Sequence, residues 1–356
     1  MAVQVTVRSS GLSAPWGLAF LPDGRILVTE RAGTLKLLAA DGTLLGTIGG
    51  VPAVVFEGQG GLLDVVLDPA FAGNRRIYLS FSERDSTDPA RNGTAVARAE
   101  LDAATRSLRN GVVIYRQLPK AASLAHFGSR LVFDRSGNLF VTMGERFQRQ
   151  FAQDLASGHG KVARITTDGS PAPGNPAWTQ AGAQPHFWSF GHRNPQGAAL
   201  HPETGDLWIS EHGEQGGDEI NRPQAGRNYG WPLATRSQFY ETLTPAGAES
   251  LPGMEDPLWV WLMRDGSEWT GGAKSSIAPA GITFYASDAV PQWKGNLFVT
   301  ALAGMALWRL TLEGNTVTAQ ERLLAGRNQR MRDVEQGPDG ALYILTDDGN
   351  LLRYGP

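Results

Sequence analysis

Apolar and polar positions along this chain alternate in short runs with the period of strands, and extended stretches with a 3.6-residue period are missing. Six times a polar turn leads into a short aromatic and β-branched run. The copies are Leu21-Pro22-Asp23-Gly24 into Arg25-Ile26-Leu27-Val28-Thr29, Leu67-Asp68-Pro69 reaching Arg76-Ile77-Tyr78-Leu79-Ser80, and Phe133-Asp134-Arg135-Ser136-Gly137 into Asn138-Leu139-Phe140-Val141-Thr142. The other three are His201-Pro202-Glu203-Thr204-Gly205 into Asp206-Leu207-Trp208-Ile209-Ser210, Trp293-Lys294-Gly295 into Asn296-Leu297-Phe298-Val299-Thr300, and Gly337-Pro338-Asp339-Gly340 into Ala341-Leu342-Tyr343-Ile344-Leu345-Thr346. Another apolar run precedes most of these turns, as at 16–20, 64–67, 130–133 and 281–284. Strand, Asx or Gly turn, strand is a hairpin pattern. Repeated small sheets cannot bury their own faces, but they cover each other when packed radially. The expected fold is therefore all-β: a six-bladed β-propeller as one domain over residues 1–356, with blade pairs near 16–38, 62–81, 130–166, 196–211, 280–310 and 333–353.

Composition agrees with that picture. The 356 residues are 41 % hydrophobic, with 44 glycines and 21 prolines, as a turn-rich β protein needs. A net charge of −3 gives no reason to expect nucleic acid or an anionic membrane as partner. No apolar run reaches the length of a membrane span. Cysteine is absent, which removes disulfides, thiolate metal sites and cysteine nucleophiles together. The first residues do not read as a secretory leader, so the chain is either cytoplasmic or one whose leader has been removed.

The blades leave irregular stretches at 143–160, 168–186 and 231–279, the last holding Trp231, Trp259, Trp261 and Trp269. Loops of this length in a compact protein are commonly functional, and they are expected on one face over the axial channel. Candidate chemistry sits just before strands. In Gly191-His192-Arg193-Asn194-Pro195-Gln196-Gly197 the Asn-Pro step pushes Arg193 and Asn194 out at a strand end, where Arg193 would offer a fixed cationic fork; the bland reading is an inter-blade turn. Residues 211–221 hold four carboxylates and three glycines, which suits a hard cation such as calcium and equally suits a solvated turn. His126 stands at the corresponding end of its blade and suits a general base. Gln59 and the pair Arg330 and Arg332 precede further blades. Strand alternation puts the two arginines on one face, which favours an anion between them. Equivalent ends of several blades converge on one axial mouth, so a binding or catalytic centre is expected there.

The runs Glu57-Gly58-Gln59-Gly60-Gly61-Leu62, Gly191 to Gly197, Gly217-Asp218-Glu219-Ile220-Asn221, Asn228-Tyr229-Gly230-Trp231-Pro232, Ile277-Ala278-Pro279 and Arg332-Asp333 resemble those of the soluble quinoprotein sugar dehydrogenases, the glucose/sorbosone dehydrogenase family. The resemblance runs from Trp16 to Tyr354 and leans to the aldose sugar dehydrogenase branch. It implies pyrroloquinoline quinone (PQQ) over the channel, with calcium beneath. It implies oxidation of the anomeric carbon of aldoses to lactones by hydride transfer to the quinone. His126 would be the base, with Arg193 and Asn194 at the quinone oxygen. Gln59, Arg330 and Arg332 would hold the cofactor. Gly213 and Glu214 would bind calcium through their carbonyls, with Asp218 beside them. Whether a second, structural calcium is present is left open by the sequence; the place to look is the Tyr229–Trp231 turn and the insert that follows. Glu214 stands where the family often has proline, Ala125 where some glucose-oxidising members have an acid, and Ala303 where some have a cofactor-binding lysine. The resemblance further implies a monomer that works in the periplasm or as a secreted protein and passes electrons to an acceptor the sequence does not identify. A calcium-dependent propeller lactonase and a non-catalytic binding propeller are the competing readings.

Overall fold

The computed structural model describes residues 2–356 and shows six four-stranded antiparallel sheets. In chain order the blades span 15–48, 62–116, 131–190, 195–261, 279–323 and 331–355. Within each of the first five, strands follow one another from the axis outwards. The sixth takes three strands from the C-terminal end, and its outermost strand is Gln4–Ser9, paired with Leu351–Gly355. The two ends of the chain thus close the ring, leaving no unpaired edge between them. This N-terminal strand is absent from the sequence expectation because it has no turn phrase of its own.

The six turn phrases all join the first and second strands of a blade. Five of the second strands are buried along their whole length, and in the second blade Ile77–Ser82 is, because neighbouring blades cover both faces. The core is divided accordingly: six clusters lie one at each blade-to-blade interface, and a seventh is Trp16, Leu63 and Phe127. The hydroxyl residue that ends the repeated phrase has a structural reason. Thr29, Ser80, Thr142 and Ser210 each donate from their side chain to a carbonyl of the next blade: Leu63, Ser129, Pro195 and Ala280. Apolar side chains there would strand buried carbonyls.

The six innermost strands contact one another in a ring around the axis. Five of them carry a bulge near their first residues, between Pro15 and Leu18, Leu62 and Val65, Pro195 and Gly197, Pro279 and Ile282, and Met331 and Asp333. Bulges re-aim side chains, and here they turn Trp16, Asp64, Gln196 and Arg332 towards the axis. Gly17 and Gly281 are required by close approach: a Cβ would meet Asp64 Oδ1 at 2.7 Å and Asp333 Oδ1 at 2.1 Å respectively. At the centre Arg130 bridges both acids, at 3.1 Å to Asp64 and 3.0 Å to Asp333, and its guanidinium lies 4.2 Å over the Trp16 ring.

One expectation changes. Trp259–Trp261 is not part of a long insert but the outer strand of the fourth blade, paired with Asp218–Asn221. The connection between the third and fourth strands of that blade is 222–258, and Gln238 within it pairs back with Gln215 ahead of the third strand. Among the described residues no helix is long and apolar enough to cross a membrane.

Candidate active site

The functional face is the end at which each innermost strand begins, opposite the turn phrases. His126 sits in a tightly folded approach to the third blade, where His126, Gly128 and Ser129 all have positive φ. Such backbone is costly for residues other than glycine, and here bonds from other blades hold it. The His126 amide donates to Gln59 Oε1 at 2.9 Å, and the Gly128 amide donates to Asn194 Oδ1 at 3.1 Å. The imidazole Nδ1 meets Glu145 Oε1 at 2.6 Å. With Nδ1–H donated to that carboxylate, Nε2 is left as the basic nitrogen. Burial first, and then the Arg193 charge, hold the His126 pKa below its ordinary value of 6.5, with Glu145 opposing. The imidazole is therefore neutral near pH 7, the state in which such a nitrogen can accept a proton.

Glu145 was not legible in the sequence. It follows the third blade's second strand, where its amide donates to the Arg193 carbonyl at 2.8 Å. Arg193 and Asn194 lie at the start of the fourth blade. Glu211 fixes them from behind, accepting from the Arg193 amide at 2.8 Å, from His192 at 3.1 Å and from Asn221 at 2.7 Å. The Arg193 guanidinium donates to the Gly213 carbonyl at 2.5 Å and lies 5.2 Å from the Trp231 ring. Buried atoms without a partner gather here: Glu145 Oε2, Arg193 Nε and Asn194 Nδ2. Unsatisfied polar atoms are rare in native interiors and mark places built for something else.

Gln59, Arg330 and Arg332 line a cavity of about 190 Å³ at the axial mouth, together with Trp16, Arg31, Gln196 and His212. Arg330 and Arg332 do share an anion, but it belongs to the protein. Asp347 accepts from Arg330 Nε at 2.9 Å and from Arg332 Nε at 2.9 Å. Asp333 goes instead to Arg130 and the Leu18 amide. Arg31 holds the Gln59 loop by donating to the carbonyls of Gly58 and Gly60. Three guanidiniums around one carboxylate leave the mouth positive, which suits a ligand with several carboxylates. His212 donates to the Pro279 carbonyl at 2.6 Å; burial, then the Arg193 charge, push it down to about 3, so it is neutral too.

The acidic loop is more ordered than a solvated turn. Asp218 accepts from the Gly213 amide at 2.9 Å, from Ser276 and from the Ile277 amide at 2.7 Å. Its oxygens therefore brace the loop from within. The Glu214 side chain pairs with Arg149 at 3.2 Å, tying this loop to 144–160. Among the described residues no group of three or more His, Asp or Glu side chains is arranged around a common metal point. A cation here would rest on carbonyl oxygens such as those of Gly213 and Glu214. Behind them a small cavity of about 10 Å³ is lined by Glu211, Glu219, Tyr229 and Thr235. Burial, and then Glu211, push Glu219 up to about 8.

The sequence profile described as glucose/sorbosone dehydrogenase matches residues 12–353. The chain belongs to the glucose/sorbosone dehydrogenase family. Within that family it is 44 % identical to the aldose sugar dehydrogenase YliI of Escherichia coli, over 99 % of this chain and 93 % of that protein. The crystal structure of the soluble aldose sugar dehydrogenase from Escherichia coli in the apo-form superposes with a TM-score of 0.92 at 44 % identity, covering 100 % of both chains. The PQQ-bound aldose sugar dehydrogenase from Streptomyces coelicolor superposes with a TM-score of 0.81 at 30 % identity, covering 99 % of this chain and 98 % of that one.

Proposed function

We propose that this glucose/sorbosone dehydrogenase family member is a quinoprotein that oxidises the anomeric carbon of aldose sugars to lactones. The observation that carries the reading is convergence: a neutral histidine oriented by a carboxylate stands beside a positively lined cavity and three unpartnered buried polar atoms. These residues fit pyrroloquinoline quinone and calcium. Arg330, Arg332 and Gln59 would hold the carboxylates and polar edge of the cofactor. The unpartnered Arg193 Nε and Asn194 Nδ2 are donors suited to a quinone oxygen. The carbonyls of Gly213 and Glu214 would face the cation, with Asp218 keeping their turn in shape. When bound, the quinone supplies the acceptor for the hydride that leaves the anomeric carbon.

The chain's own part is proton handling and placement. His126 Nε2 takes the proton of the anomeric hydroxyl, and Glu145 stabilises the imidazolium that results. Arg193 sets positive charge where negative charge develops. Ala125 beside the base contributes no acid to discriminate among hydroxyl patterns, which suits a broad range of aldoses. A second cation would sit between Glu211 and Glu219 near Tyr229, where two buried carboxylates face one small cavity. The protein is further proposed to be a monomer acting outside the cytoplasm. Sedimentation tests the first, and fractionation of expressing cells tests the second.

The deciding experiment mixes the purified chain with PQQ and calcium and follows dye reduction with a panel of aldoses. Turnover that needs both additions and collapses in His126→Ala is the expected result. Lactone hydrolysis without quinone would replace this reading with the lactonase, and no sign of quinone binding would remove it.

A further inference from the structure

Phe147 lies outside the chemistry derived above, yet its placement is specific. Its ring stacks on the His126 imidazole with centroids 3.9 Å apart and planes 29° apart. It is nevertheless 58 % exposed, the most exposed large apolar side chain among the described residues. One ring face is covered by the base, so the open surface is the opposite face, turned to solvent beside the mouth. The backbone that holds it is strained, since Arg146 and Phe147 have φ of +60° and +57° in succession. Two non-glycine residues in this region persist only when their surroundings fix them. Arg146 does so: it is fully buried, donates to the carbonyls of Ala125 and Asn92 and to Asn92 Oδ1, and lies 3.8 Å over the Phe127 ring. The loop is therefore pinned with a phenyl ring held out in water.

We propose that the outer face of Phe147 is a subsite for a second saccharide ring, the one joined to the aldose unit being oxidised. The inference rests on the aldose dehydrogenase reading of the site. The reacting unit must bring its anomeric hydroxyl within hydrogen-bond reach of His126, in the plane of the imidazole. A ring stacked on the far face of Phe147 lies beyond the phenyl itself, roughly 7–8 Å from the imidazole when ordinary contact distances are added. That is too far to react, and it is where the next ring of an oligosaccharide falls. Pyranose rings gather C–H groups on their faces, and an aromatic face buries them favourably. Leu124, two residues before His126, is also exposed.

The test compares glucose with maltose and cellobiose in the PQQ- and calcium-loaded protein carrying Phe147→Ala, Phe147→Leu or Phe147→Trp. The subsite requires a roughly tenfold rise in KM for the disaccharides in Phe147→Ala, the equivalent of uncovering about half a Phe side chain. KM for glucose changes little, Phe147→Trp restores the disaccharide value, and Phe147→Leu does not. Saturation-transfer NMR adds a binding readout: irradiating aromatic protons reaches the second ring of maltose in the wild type and not in Phe147→Ala. If Phe147 only shields the base, all sugars lose kcat equally, the acid limb of the pH profile moves, and Phe147→Leu recovers both; that result overturns the subsite and leaves the dehydrogenase reading intact. A wild-type chain that oxidises no aldose overturns the reading and the subsite together.

Discussion

Replacing Arg130 by Met should destabilise the propeller in a strongly pH-dependent way. Arg130 is buried at the axis between Asp64 and Asp333, with Glu335 close by. Burial, opposed by Arg130, pushes Asp64 up to about 6. It also raises Asp333, and it raises Glu335 well above 4.5 with the Asp333 charge adding. A carboxyl whose folded pKa is raised contributes stability below its unfolded pKa and loses it as pH climbs through the folded value. For Asp64 that window runs from 3.8 to about 6. Its cost across the window is about 3 kcal/mol. At pH 5, below the folded value of about 6, Asp64 is largely protonated and Arg130 is more weakly paired, so the deficit of the variant should be clearly smaller there than at pH 8. At pH 8 the wild type holds an ionised pair, and breaking such a buried pair costs about 3–5 kcal/mol. Unfolding entropy for a chain of this length is about 0.75 kcal/mol/K at roughly 2.1 cal/mol/K per residue. The expected drop in Tm at pH 8 is therefore about 4–7 °C. Differential scanning calorimetry of both proteins from pH 5 to 8 measures it. An equal deficit at both ends of the range would refute the reasoning, because it would mean that lost packing and not unpaired charge sets the cost.

Other outcomes follow from single contacts. Thr142 donates to the Pro195 carbonyl at 2.8 Å and accepts from the Arg130 amide at 2.9 Å, so Thr142→Val strands both groups; it should cost about 1–3 kcal/mol, with Thr142→Ser recovering most of it in the same melt. Glu145→Gln should lower kcat for every aldose by roughly tenfold or more, short of the ~10²–10⁴ lost on removing the base itself. Because His126 is held below 6.5 and must be neutral to act, kcat/KM should rise with pH along an acid limb centred below 6.5. Removing the opposing Glu145 carboxylate should move that limb further down, and an upward move in the pH profile would contradict the assignment. Chelation should abolish dye reduction in the loaded protein. Titrating calcium back into the chelated, quinone-free chain should show two sites by calorimetry, and one in Glu219→Gln.

The local pattern was enough for much of the architecture. Turn phrases followed by β-branched runs are short-range signals, and six of them predict six sheets because no such sheet can bury itself. The motif residues Gln59, His126, Arg193, Asn194, Arg330 and Arg332 were legible because each stands beside a strand whose start the pattern marks. Contacts between blades were not legible, because they join positions far apart in sequence. Gln4–Ser9 closes the ring only because Leu351–Gly355 needs a partner. Asp218 spends its oxygens on Gly213, Ser276 and Ile277, Asp347 supplies the anion between the two arginines, and Glu145 reaches His126 across a loop. Phe147 reads as an ordinary loop aromatic until Arg146 is seen pinning it against His126. The sequence determined which strands form, since alternation and turn chemistry act between neighbours. The tertiary structure decided which charges meet and which face of a ring stays open, since closing the propeller is what brings those side chains together.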